Sequence, residues 1–152
     1  MRIPPFEVVA KVVEVLQAAG LRPAVGGSGL LVGLGLSDTA NDWDVSVDAA
    51  PETVAEALHG AGVDYSDRTQ RGGTYATDRR YVIDGSDHQV DLLVNFSLRA
   101  ATGQAVVLPT RVTGHWRGLP LADPMVWARA YRLLGRHDKA DLLEHWLQRQ
   151  CR

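Results

Sequence analysis

The sequence predicts a single α/β domain of 152 residues that ends in a pair of helices. Apolar residues recur at helical spacing in some segments and alternate with polar residues in others. The hydrophobic and charged fractions, 45% and 22%, are those of an ordinary globular protein. Because no repeat, linker or low-complexity segment divides the chain, we expect one domain over residues 1–152, with a core over about 5–112 and a helical segment over about 120–150.

The first elements are a helix, a short strand and a second helix. Apolar residues at helical spacing predict the first helix over residues 5–19. Residues 21–25 form a predicted strand that runs into a glycine-rich turn. Either Gly27 or Ser28 is expected to cap the second helix, which continues to Leu34.

A strand rich in carboxylates is predicted next, over residues 42–48. Alternation puts apolar side chains on one face and polar side chains on the other, as in a half-buried strand. The apolar face, which we expect to pack into the core, comprises Trp43, Val45 and Val47. The polar face comprises Asp42, Asp44, Ser46 and Asp48.

The remaining predicted elements are one helix, several strands and two final helices. A helix with a proline in its first turn is predicted over residues 50–60. Strands are predicted over residues 63–68, 73–83, 89–96 and 105–112, and residues 84–87 form a hairpin-type turn between the middle two. Two helices, broken near Gly135, are predicted between residues 120 and 147.

Composition excludes several classes of protein. The only cysteine, Cys151, allows neither an internal disulfide framework nor a cysteine-based zinc site. No apolar run is long enough to span a bilayer and the N-terminus lacks a signal layout, so we expect a cytoplasmic protein with no membrane partner. The formal net charge of −2 does not indicate a dedicated nucleic-acid binder.

The charge is distributed unevenly along the chain. Residues 1–67 carry ten acidic and three basic side chains, whereas residues 68–152 carry eight acidic and thirteen basic ones. An acidic site facing basic groups would suit a metal–phosphate ligand. Scattered surface arginines would give the same count.

Three aspartates form a candidate cation site. Asp42 and Asp44, two positions apart on a strand, point to the same side and repel each other unless a cation lies between them. Magnesium prefers carboxylates together with substrate phosphates. Asp91 is the lone acid inside the apolar stretch "VDLLVNF". If its strand lies beside the first, the three carboxylates can hold two metals, which stabilise both the attacking and the leaving oxygen of a phosphoryl displacement.

The glycine-rich turn supplies a candidate phosphate site. Gly26 and Gly27 let the backbone approach a phosphate closely, Ser28 adds a hydroxyl, and the amide groups at a helix start point outward. Each motif alone also has a structural explanation: a turn that satisfies geometry, a solvated strand edge, or an aspartate paired with an arginine. In this order the motifs are more specific together than apart.

The motifs resemble those of the nucleotidyltransferase superfamily, which includes DNA polymerase beta and the small bacterial minimal nucleotidyltransferases. The family pattern is a hydrophobic-Gly-[Gly/Ser] turn, a spacer, an Asp-hydrophobic-[Asp/Glu]-hydrophobic strand and a later acid in an apolar strand. Here the spacer has thirteen residues. The matching segments are Val25-Gly26-Gly27-Ser28, Asp42-Trp43-Asp44-Val45 and Val90-Asp91-Leu92.

The resemblance implies a mixed sheet flanked by helices, an α+β arrangement of the nucleotidyltransferase type. It implies Mg²⁺ or Mn²⁺ at Asp42, Asp44 and Asp91, and transfer of a nucleoside monophosphate from an NTP to an acceptor hydroxyl with release of pyrophosphate. Gly27 and Ser28 match the turn that contacts phosphate. Asp91 matches the carboxylate that ligates one metal and takes the proton of the acceptor.

The C-terminal segment is similar to the helical tail of small family members, with one departure. Tyr131 stands where many relatives place a lysine. Lys139 or Arg136, and alternatively Arg132, could bind the nucleotide instead, because arginine binds phosphate in a bidentate geometry. A solvated charged face would explain the same residues.

The partners that follow are an NTP and an acceptor that the sequence does not define: a small molecule, a protein or an RNA. Two alternatives remain open. The chain is either an inactive nucleotidyltransferase-like antitoxin or interaction subunit with a toxin-type protein partner, or a nucleotide-binding sensor. The apolar C-terminal helices either pack internally or form an oligomer contact.

Overall fold

The computed structural model describes residues 1–151. Its helices are α1 (Glu7–Ala18), α2 (Gly27–Gly33), α3 (Pro51–Gly60), α4 (Pro124–Leu133) and α5 (His137–Gln150). Its strands are β1 (Ala24–Gly26), β2 (Trp43–Val47), β3 (Ser66–Asp67), β4 (Arg79–Asp84), β5 (Gln89–Val94), β6 (Ser97–Arg99), β7 (Ala105–Val107), β8 (Val112–Trp116) and β9 (Leu119–Ala122).

The strands form a mixed seven-stranded sheet and a separate two-stranded sheet. The order in the large sheet is β3-β4-β5-β2-β1-β9-β8, and β6 pairs with β7. The pairs β2–β5 and β1–β9 are parallel, and the other neighbours are antiparallel. The predicted α+β fold, with a mixed sheet, flanking helices and a C-terminal helical pair, is confirmed.

One part of the core lies between β2 and the N-terminal helix. Trp43 is fully buried, as expected, and its indole Nε1 donates a hydrogen bond of 3.1 Å to the carbonyl oxygen of Pro5. The ring of Phe6 meets the Trp43 ring edge-on at a centroid distance of 5.2 Å. Because α1 contacts both β2 and α3, this packing holds the start of β2 against the N-terminal helix.

The polar face of β2 is less open than predicted. Ser46 is buried, because Thr110 covers it and donates a hydrogen bond of 2.9 Å to its hydroxyl. The strand also lies in the interior of the sheet, between β5 and β1. Only the residues at the start of β2 keep their carboxylates at a cleft.

Several predicted boundaries need correction. Gly26 occupies the N-cap position of α2 without a side-chain hydrogen bond, so neither Gly27 nor Ser28 caps that helix. The strand predicted over residues 105–112 ends at Val107, and a second strand begins at Val112, because Pro109 between them lacks the amide that a continuous ladder needs.

Ion pairs of a single arginine link the two C-terminal helices. Arg132 on α4 donates hydrogen bonds to Asp141 and Glu144, both on α5, and its Nη2 lies 2.9 Å from Glu144 Oε2.

No helix within residues 1–151 is both long and apolar enough to cross a membrane.

Replacing Arg132 with methionine is expected to lower the melting temperature, because two carboxylates of α5 lose their shared partner while the apolar stem is kept. Arg129→Met, on the exposed side of α4, is the matched control and should leave the melting temperature nearly unchanged. Thermal unfolding followed by circular dichroism measures both. Equal melting temperatures for the two variants would contradict the prediction.

Candidate active site

Asp44 and Asp91 stand side by side on neighbouring parallel strands. The register of β2 and β5 pairs them directly, so both side chains point to the same face of the sheet. Both line a cleft of about 400 Å³ between the sheet and the C-terminal helices. The structure therefore brings together two of the three predicted carboxylates at a single place.

The two glycines of the turn are each required by a close contact. Gly27 has a φ of +58°, and a Cβ at that position would overlap Oδ2 of Asp44. A Cβ at Gly26 would overlap the indole ring of Trp127. The backbone of the turn thus lies directly against the Asp44 carboxylate, and Ser28 lines the same cleft.

Asp42 occupies a different position from the other two acids. Its Oδ1 accepts a hydrogen bond of 2.9 Å from the backbone amide of Gln89, and the residue lines a second cleft next to the first. Within residues 1–151, no three histidine, cysteine or acidic side chains lie close enough together to form a metal site by themselves. The metal roles of Asp42, Asp44 and Asp91 stay predictions.

Burial and nearby negative charge raise the pKa of Asp44. Burial, the nearby Asp91 carboxylate and the Asp42 carboxylate raise the pKa of Asp44 to about 7, against the smaller lowering effects of Arg80 and Arg136. Hard carboxylate oxygens whose mutual repulsion outweighs the effect of the nearby arginines fit a divalent cation, because a cation relieves that repulsion. The pair Asp44–Asp91 passes this test of donor chemistry.

We expect the stability of the metal-free protein to fall as pH rises from about 4 to above 7. The pKa of Asp44 is higher in the folded chain, about 7, than its ordinary value of 3.8, so the folded chain binds the extra proton in that window. Urea unfolding in EDTA between pH 4.5 and 8.5 measures the slope. The variant Asp44→Asn should show a smaller slope, and equal slopes would contradict the assignment.

Much of the cleft wall is formed by aromatic residues that were not predicted from the sequence. Phe96 and Trp127 stack with centroids 5.0 Å apart, and Tyr131 packs beside them. Burial and the charge of Asp44 raise the pKa of Tyr131, which therefore stays a neutral phenol. Trp127 and Tyr131 are four residues apart on α4, but Phe96 comes from a distant part of the chain, so no local pattern in the sequence indicated that it meets them.

Arg80 was also missed, although the sequence held a signal for it. It lines the cleft and binds Asp91. The predicted hairpin between β4 and β5 pairs Val82 with Asp91, and Arg80 lies two positions from Val82 on the same face. The register of that hairpin would have placed an arginine beside the third acid.

The candidate basic residues of the tail have separate positions. Arg136 lines the cleft. Lys139 lies with its Nζ 5.6 Å from the centre of the Tyr131 ring and does not line the cleft. Arg132 is engaged by α5, as described above. Of the three, Arg136 is the one placed to meet a ligand.

No protein-family model and no curated protein sequence matches this chain. Solved structures do match it. A presumed nucleotidyltransferase from Thermotoga maritima superposes with a TM-score of 0.67 at 20% identity, covering 95% of this chain and 92% of that one. The chain has a nucleotidyltransferase-type fold.

Two further solved structures, both named in connection with antibiotics, match the chain. The antibiotic-resistance factor ANT(2'')-Ia superposes with a TM-score of 0.61 at 10% identity, covering 93% of this chain and 83% of that one. The lincosamide antibiotic adenylyltransferase LnuA, solved with lincomycin bound, superposes with a TM-score of 0.56 at 15% identity, covering 95% and 98%. At these identities the likeness establishes the nucleotidyltransferase-type fold alone.

Proposed function

We propose that this chain is a metal-dependent nucleotidyltransferase that moves a nucleoside monophosphate from an NTP to an acceptor hydroxyl and releases pyrophosphate. One observation supports it above the others. Asp44 and Asp91 are paired in register at the edge of a cleft, with the side-chain-free backbone of Gly27 against Asp44. A carboxylate pair beside an open backbone suits a metal–triphosphate ligand.

The carboxylates have the first role in this proposal. Asp44 and Asp91 would hold the divalent ion, with Asp42 adding negative charge nearby. When bound, that ion would neutralise charge on the triphosphate and on the attacking and leaving oxygens. Asp91 would also accept the proton of the acceptor hydroxyl as the new oxygen–phosphorus bond forms at the α-phosphate. The bond from the α-phosphate to the bridging oxygen then breaks, and pyrophosphate leaves.

The remaining groups bind and orient the nucleotide. Gly27 presents its backbone and Ser28 its hydroxyl to the phosphates. Arg136, at the mouth of the cleft, would offset their negative charge with a bidentate contact. The stacked pair Phe96 and Trp127 gives the cleft an apolar wall that suits a flat ring.

The acceptor we propose first is a small molecule. Of the solved structures with this fold, one is named an antibiotic-resistance factor, and another is a lincosamide antibiotic adenylyltransferase solved with lincomycin bound. Protein and RNA acceptors are the other outcomes of the test below.

The test combines the protein with each of the four NTPs, Mg²⁺ or Mn²⁺, and a panel of hydroxylated small molecules or a cell extract. Intact-mass detection should find an acceptor heavier by one nucleoside monophosphate, and pyrophosphate should appear in equal amount. If no acceptor is modified and no NTP binds with any metal, the proposal is wrong.

A second candidate is nucleotide binding without transfer. It is favoured by the position of Asp42, whose carboxylate is held by the Gln89 amide and lines a second cleft. Calorimetry that detects NTP binding, followed by recovery of the intact nucleotide after long incubation with metal and acceptors, would support this sensor-like function over transfer.

A further inference from the structure

Arg80 holds one of the two carboxylates of the proposed metal site. Its Nη2 donates a hydrogen bond of 2.8 Å to Oδ1 of Asp91, and the side chains are 32% and 14% exposed. The side-chain amide of Gln89 donates to the same oxygen at 3.0 Å. The Asp91 oxygen that these groups contact is therefore occupied by protein donors.

The backbone of Arg80 is fixed while its side chain has room to turn. The Arg80 amide donates to Thr69 Oγ1 at 3.0 Å, and its carbonyl oxygen accepts from the Arg68 amide at 2.8 Å. The side chain lines the same cleft as Asp44. A change of rotamer would carry the guanidinium from Asp91 into the cleft without disturbing the sheet.

The Arg80 guanidinium and a free metal ion, both positively charged, compete for the Asp91 carboxylate. A divalent cation arriving alone meets a guanidinium already bound to Oδ1 of Asp91, and a cation that takes this oxygen leaves a partly buried positive charge beside a second one. A cation that arrives with a triphosphate brings excess negative charge. The phosphates then give the displaced guanidinium a bidentate partner.

We propose that Arg80 is a positioning residue that occupies Asp91 until metal and triphosphate arrive together, and so couples metal binding to nucleotide binding. This inference rests on the proposed function, because it assumes that Asp44 and Asp91 bind the metal. It predicts that loss of Arg80 has opposite effects on two ligands: free metal binds more tightly, and the metal–triphosphate complex binds more weakly.

The test uses Mn²⁺ alone and the Mn²⁺ complex of inorganic tripolyphosphate, which avoids any preference for a base. Calorimetry and the electron paramagnetic resonance signal of free Mn²⁺ measure binding to the full chain, with no need for turnover. For Arg80→Gln we expect about tenfold tighter binding of Mn²⁺ and about tenfold weaker binding of the complex, since one charge-assisted contact changes partner.

Two further variants distinguish the effect of losing the Arg80–Asp91 contact from the effect of losing one positive charge. Arg79→Gln removes the same charge from the neighbouring residue, whose nearest acid is Asp67 at 4.0 Å, and should change each affinity less than twofold. Arg80→Lys keeps the charge and loses the planar fork. We expect it to release Asp91 to free Mn²⁺ in part and to recover only part of the binding of the complex.

The outcomes distinguish the two proposals. If the wild-type chain binds neither Mn²⁺ nor the complex, the proposed function and this inference both fail. If the wild-type chain binds the complex but Arg80→Gln shifts both affinities in the same direction, or no more than Arg79→Gln does, this inference alone fails. A structural role for Arg80 would weaken both ligands together, and Arg80→Lys would then resemble the wild type.

Discussion

Asp44→Asn is expected to lower the rate of nucleotidyl transfer about 10³-fold or more, because an amide oxygen is a poor ligand for a divalent ion and metal stabilisation of the transition state amounts to several kcal/mol. The same variant should not unfold. It removes a carboxylate whose pKa is raised to about 7 by burial and by two neighbouring carboxylates. At pH 8 in EDTA its free energy of unfolding should exceed that of the wild type, with an upper bound of about 4 kcal/mol.

Opposite changes in activity and stability are what identify a functional carboxylate here. Glu14→Gln, an exposed acid on α1, is the matched control and should change neither quantity. The measurements are transfer monitored by pyrophosphate release and urea unfolding at pH 8. An Asp44→Asn variant that transfers at a wild-type rate would remove Asp44 from the metal site, whatever its stability.

Gly27→Ala is expected to reduce both stability and activity. A residue with a side chain at a φ of +58° costs about 1–2 kcal/mol, and the new Cβ would overlap Oδ2 of Asp44. The overlap can be relieved only by moving the turn or the carboxylate, so we expect a loss of roughly 2–4 kcal/mol in the free energy of unfolding. A displaced carboxylate should also slow transfer by about 10²-fold.

Gly62→Ala isolates the backbone part of that effect. Gly62 has a φ of +71° and nothing within 4 Å of the position of a Cβ, so only the conformational penalty applies. We expect a loss of about 1 kcal/mol and full activity. If Gly27→Ala and Gly62→Ala have the same free energy of unfolding and both transfer at the wild-type rate, the close approach of the turn to Asp44 is not needed for activity.

Local patterns in the sequence were sufficient for the elements with strong periodicity. The helix over Glu7–Ala18 and the hairpin of β4 and β5 follow from apolar spacing and from the turn that joins the two strands. The pair β8 and β9 was missed, because these strands are short and Pro120 lies within the second. β9 also pairs in parallel with β1, which lies far from it in the sequence.

The candidate site was likewise predicted only in part. The glycine turn and the aspartates were found from the sequence, because residue type and spacing alone indicate what these groups can bind. Whether the acids meet depended on the register of β2 with β5, which is set by packing between segments more than forty residues apart. That register joined Asp44 to Asp91 and left Asp42 bound to the Gln89 amide.

By itself the sequence determined the class of fold and which groups could carry charge near a phosphate, because side-chain chemistry and local periodicity are properties of short segments. Only the tertiary structure decided which carboxylates are neighbours, that an arginine from β4 occupies one of them, and that Phe96 stacks on Trp127 of α4 in the cleft wall. The physical reason is that charges interact through distance in space, and distances between strands are fixed by long-range packing.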